Sequence, residues 1–342
     1  MIDFRYHLVS IVAVFLALAI GIVLGSTELQ GPAYNLLDKT TSKLQSELGQ
    51  VSSQRDTAQQ QATEGEMYAQ AVEPTVLRDL LTGQRLLIVT EPGAQSSVVS
   101  GISSAALAAG ASITGQINLA TKFFDTSGTA QDSLNQTTLD VAQAAGLQLD
   151  SSATYQQQAA QVIASEILVK APASSSTGKP PADQATEAST MLQAYAASQF
   201  LSTTGQPASP ATLVVVVTPQ NPPSDGSSDQ LDQVLVPLVT ELAAKSSATV
   251  VVGSSAGSGA GSPIAVLRSN NLSGQVSTVD DADLVAGQTV AMQALAVGLA
   301  GGKAGSYGFT ANGASAIAPS PAPTPSGSAS ATPASSTKKV KK

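Results

Sequence analysis

The first strong pattern along the chain is an unbroken apolar run. Leu8 to Leu24 reads LVSIVAVFLALAIGIVL, and between Arg5 and Glu28 only His7 can carry a charge near neutral pH. As a helix, the uncharged stretch from Tyr6 to Thr27 would span roughly 33 Å at about 1.5 Å per residue. A bilayer core about 30 Å thick is crossed by such a length. An anchor that stays attached is expected rather than a signal peptide, because Asp3 offsets Arg5 and Gly25-Ser26-Thr27 is a poor cleavage site. Arg5 and the amino terminus favour the inside, which leaves the bulk of the chain extracytoplasmic. No second span is expected, since LVVVV at 213–217 is far too short. Inside the span Ala13, Ala17, Gly21 and Gly25 recur every four residues, and Gly21 and Gly25 form a GxxxG pair. Such a face lets two helices approach closely, although Ala and Gly are also common in membrane helices without that role.

From Tyr34 to Ala71 the pattern changes to polar residues rich in Gln, Ser and Thr. Leu37, Leu44, Val51 and Ala58 repeat every seven residues, and Tyr34, Thr41, Leu48, Arg55 and Ala62 fill the second seam position. This heptad pattern, faint after Val51, predicts a parallel two-stranded coiled coil and therefore a homodimer. A single helix lying on a core domain is the alternative. Pro74 is expected to end the helix.

Beyond Pro74 short, continuously apolar runs alternate with helical patterns. The runs are Arg85–Thr90, Ser112–Leu119, Leu213–Thr218, Thr249–Gly253 and Gln275–Val279. Helices are expected near Gln95–Ala109, Ser133–Ala145, Tyr155–Val169, Ala185–Ser202, Ser228–Ala244 and Asp283–Ala300. Strands of this kind are buried on both faces, so the fold class is α/β, a Rossmann-like parallel sheet between helices. The three helices between the second and third strands form an insertion. Pro172–Pro181 and Pro219–Ser227 read as loops. After Asn312 the chain is Pro, Ala, Ser and Thr with four lysines at its end, which cannot build a core. The expected organisation is an anchor over 1–28, a coiled-coil helix over 29–73, an α/β domain over 74–312 and a disordered tail over 313–342.

Composition removes whole classes of chemistry. The 342 residues hold no cysteine and one histidine, His7, at the edge of the apolar run. Thiol catalysis, disulfides and zinc ribbons are excluded, and no His-based catalytic triad can form in the globular part. Charged residues make up 12%, about half the usual share, and the net charge is −8. Four of the sixteen basic residues stand at the far end of the tail, which leaves the rest of the chain still more acidic, so no broad basic face and no nucleic-acid partner are expected. The lipid bilayer is. No enzymatic activity and no cofactor are expected.

Strand ends are where open parallel sheets bind ligands. Glu91-Pro92-Gly93 after the first strand has no phosphate-loop pattern and reads as a tight turn. Gly253, Gly257, Gly259 and Gly261 depart from GxGxxG, although Asp280 follows at roughly the distance of a ribose-binding acid. Asp280, Asp281 and Asp283 could hold a hard cation or could cap the following helix. A copper cage needs soft or imidazole ligands. The chain offers Met1, Met67, Met191, Met292 and His7, all far apart in sequence. Whether any of these residues holds a metal is left open by the sequence.

The segment Asp3-Phe4-Arg5-Tyr6-His7, with the apolar run VSIVAVFLALAIGIVLGS, resembles the start of the actinobacterial copper transport protein B family, the MctB-like envelope proteins. Ser277, Thr278, Val279, Asp280, Asp281 and Asp283 also resemble that family, as do Gly301 and Gly302 and the pair Tyr307-Gly308. The similarity runs from residue 1 to about 310 and is strongest at the two ends. The resemblance implies a role in copper transport or homeostasis at the cell envelope. It also implies a place for relatives in septation, as a membrane partner of a cytoplasmic septation protein A; the span, the heptads and the near absence of catalytic side chains point to the alternative, a non-catalytic dimeric membrane scaffold in cell division. Copper is implied by the resemblance only, and no ligand residue carries over.

Overall fold

The computed structural model describes residues 4–170, 181–220, 228–257, 261–270 and 272–308. The loops expected around 172–180 and 221–227, Gly259 and the 313–342 tail lie outside the described residues. The chain divides into two units, Met1–Gly65 and Glu66–Lys342.

The first unit is helical. Helix α1 (Phe4–Leu77) runs for 74 residues, so the apolar run and the polar heptad segment are parts of one element. Within it Arg5–Gly25 is long and apolar enough to cross a membrane. In the polar segment several threonines return their hydroxyls to the helix. Thr40 Oγ1 donates to Leu36 O at 2.7 Å, and Thr57 and Thr63 donate in the same way to Ser53 and Gln59. A hydroxyl bonded one turn back does not compete for the backbone elsewhere, which lets a threonine-rich stretch stay helical.

Pro74 does not end the helix, which continues to Leu77. The proline forfeits its own N–H bond. Leu77, however, is fully buried with Leu81 in the core, and that packing holds the last turn.

The second unit continues with β1 (Arg85–Thr90), α2 (Ser96–Ala108), β2 (Ser112–Leu119), α3 (Thr121–Phe124) and α4 (Gly128–Ala145). Then come α5 (Tyr155–Ile167), α6 (Pro181–Ala197), β3 (Leu201–Gly205), β4 (Leu213–Val217) and α7 (Ser228–Lys245). It closes with β5 (Ala248–Val252), α8 (Pro263–Ser269), β6 (Ser277–Val279), α9 (Val285–Leu299) and β7 (Ser306–Tyr307). The strands form one seven-stranded sheet in the order β3-β2-β1-β4-β5-β6-β7. Every neighbouring pair is parallel except β2 with β3.

Period-two alternation divides the strand side chains between two hydrophobic layers. Leu87 and Val89 of β1, Val214 and Val216 of β4 and Val251 of β5 face one layer, built with α4 to α8. Leu86, Ile88, Leu213, Val215, Val217, Val250 and Val252 face the other, closed by α2, α9 and the end of α1. The inserted helices α4, α5 and α6 belong to the first layer. Leu134, Ile163 and Tyr195 share one cluster with β1 and β4, so the insertion thickens the sheet's cover and shares its core.

Two strands escape the apolar pattern. Residues 201–205 (LSTTG) bury only Leu201, yet they pair antiparallel with β2, Leu201 opposite Leu119. The expected helix through Ser202 therefore stops at Ala197. Strand β7 has two residues, too few to show any period. The sheet reverses its order between β1 and β4, which opens a crevice at the carboxyl ends of the strands, the usual ligand position in such sheets.

Candidate functional site at the carboxyl edge of the sheet

Strand β6 ends in three carboxylates, and the fold gives each a different environment. Asp280 is wholly buried. Its Oδ2 accepts a hydrogen bond from Arg268 Nη1 at 2.9 Å. Arg268, in the last turn of α8, also donates through Nε to Thr278 Oγ1 at 3.0 Å and through Nη2 to Tyr307 O at 2.8 Å. One guanidinium thus ties α8, β6 and β7 together. Its planar fork serves three acceptors in a way a lysine ammonium cannot. The Asp280 N–H donates to the same Tyr307 carbonyl at 3.3 Å. Gly308 lies directly against this pair. Its φ is +145°, and a Cβ there would stand 1.6 Å from Asp280 Oδ1. The Asp280 and Tyr307-Gly308 signatures, 27 positions apart in sequence, are therefore one structural feature.

Asp281 is 1% exposed, and neither Oδ has a hydrogen-bond partner on another described residue. Burial raises its pKa to about 6, helped by the charges of Asp280 and Asp283 and opposed by Arg268. Its carbonyl lies where a Cβ at Gly287 would intrude, 2.1 Å away. That close approach is why the first turn of α9 carries a glycine. Asp283 is exposed and reaches across to the end of β5, where it accepts from Ser255 N and Ser255 Oγ, both at 2.9 Å.

The aspartates do not cap α9. Its N-cap is Leu284, with no side-chain cap bond. Instead the free N–H of Val285 donates to Glu66 Oε1 at 2.8 Å, and Thr289 Oγ1 meets Glu73 Oε1 at 3.5 Å. A carboxylate from the end of α1 thus occupies the positive end of the α9 dipole. Burial raises the Glu73 pKa, with the Thr289 bond lowering it and the Glu66 charge raising it.

At the crevice itself Glu91 follows β1. It is 4% exposed, and burial pushes its carboxyl pKa up to about 8. Glu91 Oε1 and the Oγ of Ser254, which follows β5, are both buried without a hydrogen-bond partner among the described residues. The turn expected here is present. Ala94 N donates to Glu91 O at 3.1 Å, and Gly93 adopts φ +86°. Gln95 and Gln220 bridge the mouth of the crevice by a side-chain hydrogen bond. The glycines after β5 serve close packing. A Cβ at Gly253 would lie 2.7 Å from Thr218 Oγ1, and one at Gly257 would lie 2.5 Å from Gln220 O. Gly301 follows α9 in the left-handed region, φ +75°, and Gly302 N closes the helix end on Val297 O at 2.8 Å.

Soft ligands are not gathered. Met191 and Met292 are buried in opposite layers of the core, while Met67 lies exposed on α1 and His7 belongs to the apolar segment. Among the described residues no group of three or more His, Cys, Asp or Glu is placed to hold a metal ion. The dimerisation residues of the sequence reading, Ala13, Ala17, Gly21, Gly25, Leu37, Leu44, Leu48 and Val51, all lie on α1 and are solvent-exposed. Sequence reasoning missed Arg268 and Glu66. Arg268 did carry a signal, as the single basic residue between Lys245 and Lys303. Glu66 carried none.

Among the described residues one apolar helix, near the N-terminus, is long and apolar enough to cross a membrane, and it leads into an α/β unit with a parallel-dominated sheet. The model of the family described as "Copper transport outer membrane protein, MctB" matches residues 1–319, and the chain belongs to that family. It is 27% identical over 322 residues to the copper transporter MctB of Mycobacterium tuberculosis, covering 93% of this chain and 99% of the relative. The Mycobacterium bovis protein of the same name matches equally. That of Mycobacterium leprae is 26% identical over 324 residues, with the same coverage.

Proposed function

We propose that the protein is a membrane-tethered, non-enzymatic component of copper export or tolerance at the cell envelope, with the α/β unit extracytoplasmic. The family match over residues 1–319, which includes the membrane-length helix, carries this reading. Copper is the cargo here, and the described residues present no soft donor set for it. One helix cannot line a pore, and a sheet covered by helices on both faces cannot be a lipid-facing barrel. Passage of copper therefore depends on other chains, and this chain supplies an anchored platform. Total copper in cells lacking the gene, compared with parent and complemented cells at matched external copper, tests the reading. Raised copper reversed by complementation is expected, and unchanged copper overturns it. Protease added to wall-stripped cells should remove the α/β unit, and full protection would overturn the topology.

A further inference from the structure

We infer that α1 pairs in parallel with α1 of a second copy along one left-handed seam, which starts inside the membrane-length segment and runs to Ala62, with Gly21 and Gly25 facing away from it. The inference is independent of the copper reading.

The frame of the seam is set by Leu37, Leu44 and Val51 at one heptad position and Leu48 at the other. Their exposures are 63%, 53%, 62% and 69%. Between residues 36 and 62 the other large aliphatic side chain is Leu36. Apolar side chains on a single narrow heptad stripe are the pattern of a two-stranded coil. The helix also lacks other support. Residues 36–65 are exposed throughout, and a Gln-, Ser- and Thr-rich helix gains little from propensity alone. Helices of this kind draw their stability from a packed face.

The charges flanking the seam do not oppose a second copy. Of the positions flanking the seam between 36 and 62, only Asp38 and Glu47 are charged, and neither meets a like charge across a parallel pair. Glu47 also engages Lys43 of its own helix at 3.7 Å. Arg55 falls on the seam and pairs with its neighbour Asp56 at 2.7 Å. With Thr41 it is one of two polar seam residues between 36 and 62; in a parallel pair it faces the same residue of the second copy, and such polar seam positions set register at some cost in stability.

The backbone is helical without interruption from Phe4 to Leu77, so the frame continues into the membrane segment. Counting back by sevens passes Gln30 and reaches Val23, Leu16 and Val9 at one seam position, and passes Thr27 and reaches Ile20 and Ala13 at the other. A four-residue stripe cannot follow a 3.5-residue seam. Starting from Ala13 on the seam, the stripe turns away through Ala17 and Gly21. By Gly25 it lies about 150° round the helix, at about 3.5 residues per turn. The heptad seam and the GxxxG face therefore demand different dimers, and continuity of the helix selects the seam.

The absence of native cysteine makes the test direct. Full-length chains with Leu16→Cys, Leu37→Cys, Leu44→Cys, Gly25→Cys or Ser46→Cys, in native membranes, are oxidised with iodine and run on non-reducing gels. Covalent dimer from the first three and none from Gly25→Cys or Ser46→Cys is expected. Dimer from Gly25→Cys without Leu16→Cys overturns the continuous seam in favour of small-residue packing. Equal cross-linking at all positions, or none at any, overturns the dimer.

Discussion

The Glu66 carboxylate accepts a hydrogen bond from the backbone N–H of Val285, 219 positions later, at 2.8 Å. It ties the last part of α1 to the first turn of α9, directly after the carboxylate run at the end of β6. An anion at a helix N-terminus contributes roughly 0.3–1 kcal/mol. Replacing Glu66 by Ala should therefore lower stability by about 1 kcal/mol. Glu66→Gln should recover part of this through its carbonyl oxygen. Thermal melts of the full chain in detergent read both values.

Arg268 is the cation paired with the wholly buried Asp280, at 2.9 Å. Arg268→Ala leaves that carboxylate uncompensated, at a cost of roughly 3–5 kcal/mol. Arg268→Lys should fall between, because one ammonium cannot reach Thr278, Asp280 and Tyr307 together. Denaturant midpoints should rank the variants in that order.

Gly308 has no room for a side chain. Gly308→Ala would force a methyl group onto Asp280 Oδ1 and strain a backbone at φ +145°. The expected loss exceeds about 1 kcal/mol. Faster hydrogen exchange at Thr278 and Asp280, whose N–H groups bond to Gly305 and Tyr307, would locate the damage at β7.

Two buried acids give the stability a pH slope. Asp281 and Glu91 have folded pKa values raised to about 6 and about 8. Between the unfolded and folded values the native state holds more protons, so stability falls as pH rises. The Asp281 effect lies between about pH 4 and 6 and the Glu91 effect between about pH 4.5 and 8. Asp281→Asn and Glu91→Gln should flatten these windows. Glu91→Gln in particular should raise Tm at pH 8.5 more than at pH 5, and an equal shift at both would refute the assignment.

The buried methionines serve packing. Met191→Leu and Met292→Leu conserve volume and should cost less than about 1.5 kcal/mol each. Cellular copper tolerance should be unchanged in both, and a loss of tolerance in a stably folded variant would assign the thioether a ligand role.

The membrane segment, the α/β class and most element positions were legible in the residues. Their signals are local. Apolar length marks the span, and LVVVV or RLLIVT marks a strand buried on both sides. The carboxylates were visible as a cluster, but their roles were not. Asp280 became the partner of Arg268, Asp283 the partner of Ser255, and Asp281 a buried acid, because residues far away in sequence set their surroundings. Strand β3 was hidden for the same reason: its reason to exist is the open edge of β2, not its own side chains.

What the sequence by itself determined is the membrane-length apolar helix, the layered α/β core and the heptad stripe on α1, since hydrophobic spacing along one element needs no second element to be read. Only the tertiary structure decided that Glu66, and none of the aspartate side chains, accepts the first N–H of α9, that Arg268 joins α8 to β6 and β7, and that Gly308 lies on Asp280. Those pairings depend on which chain segments the sheet order brings within about 3 Å, the range at which hydrogen bonds form, and no local period records that distance.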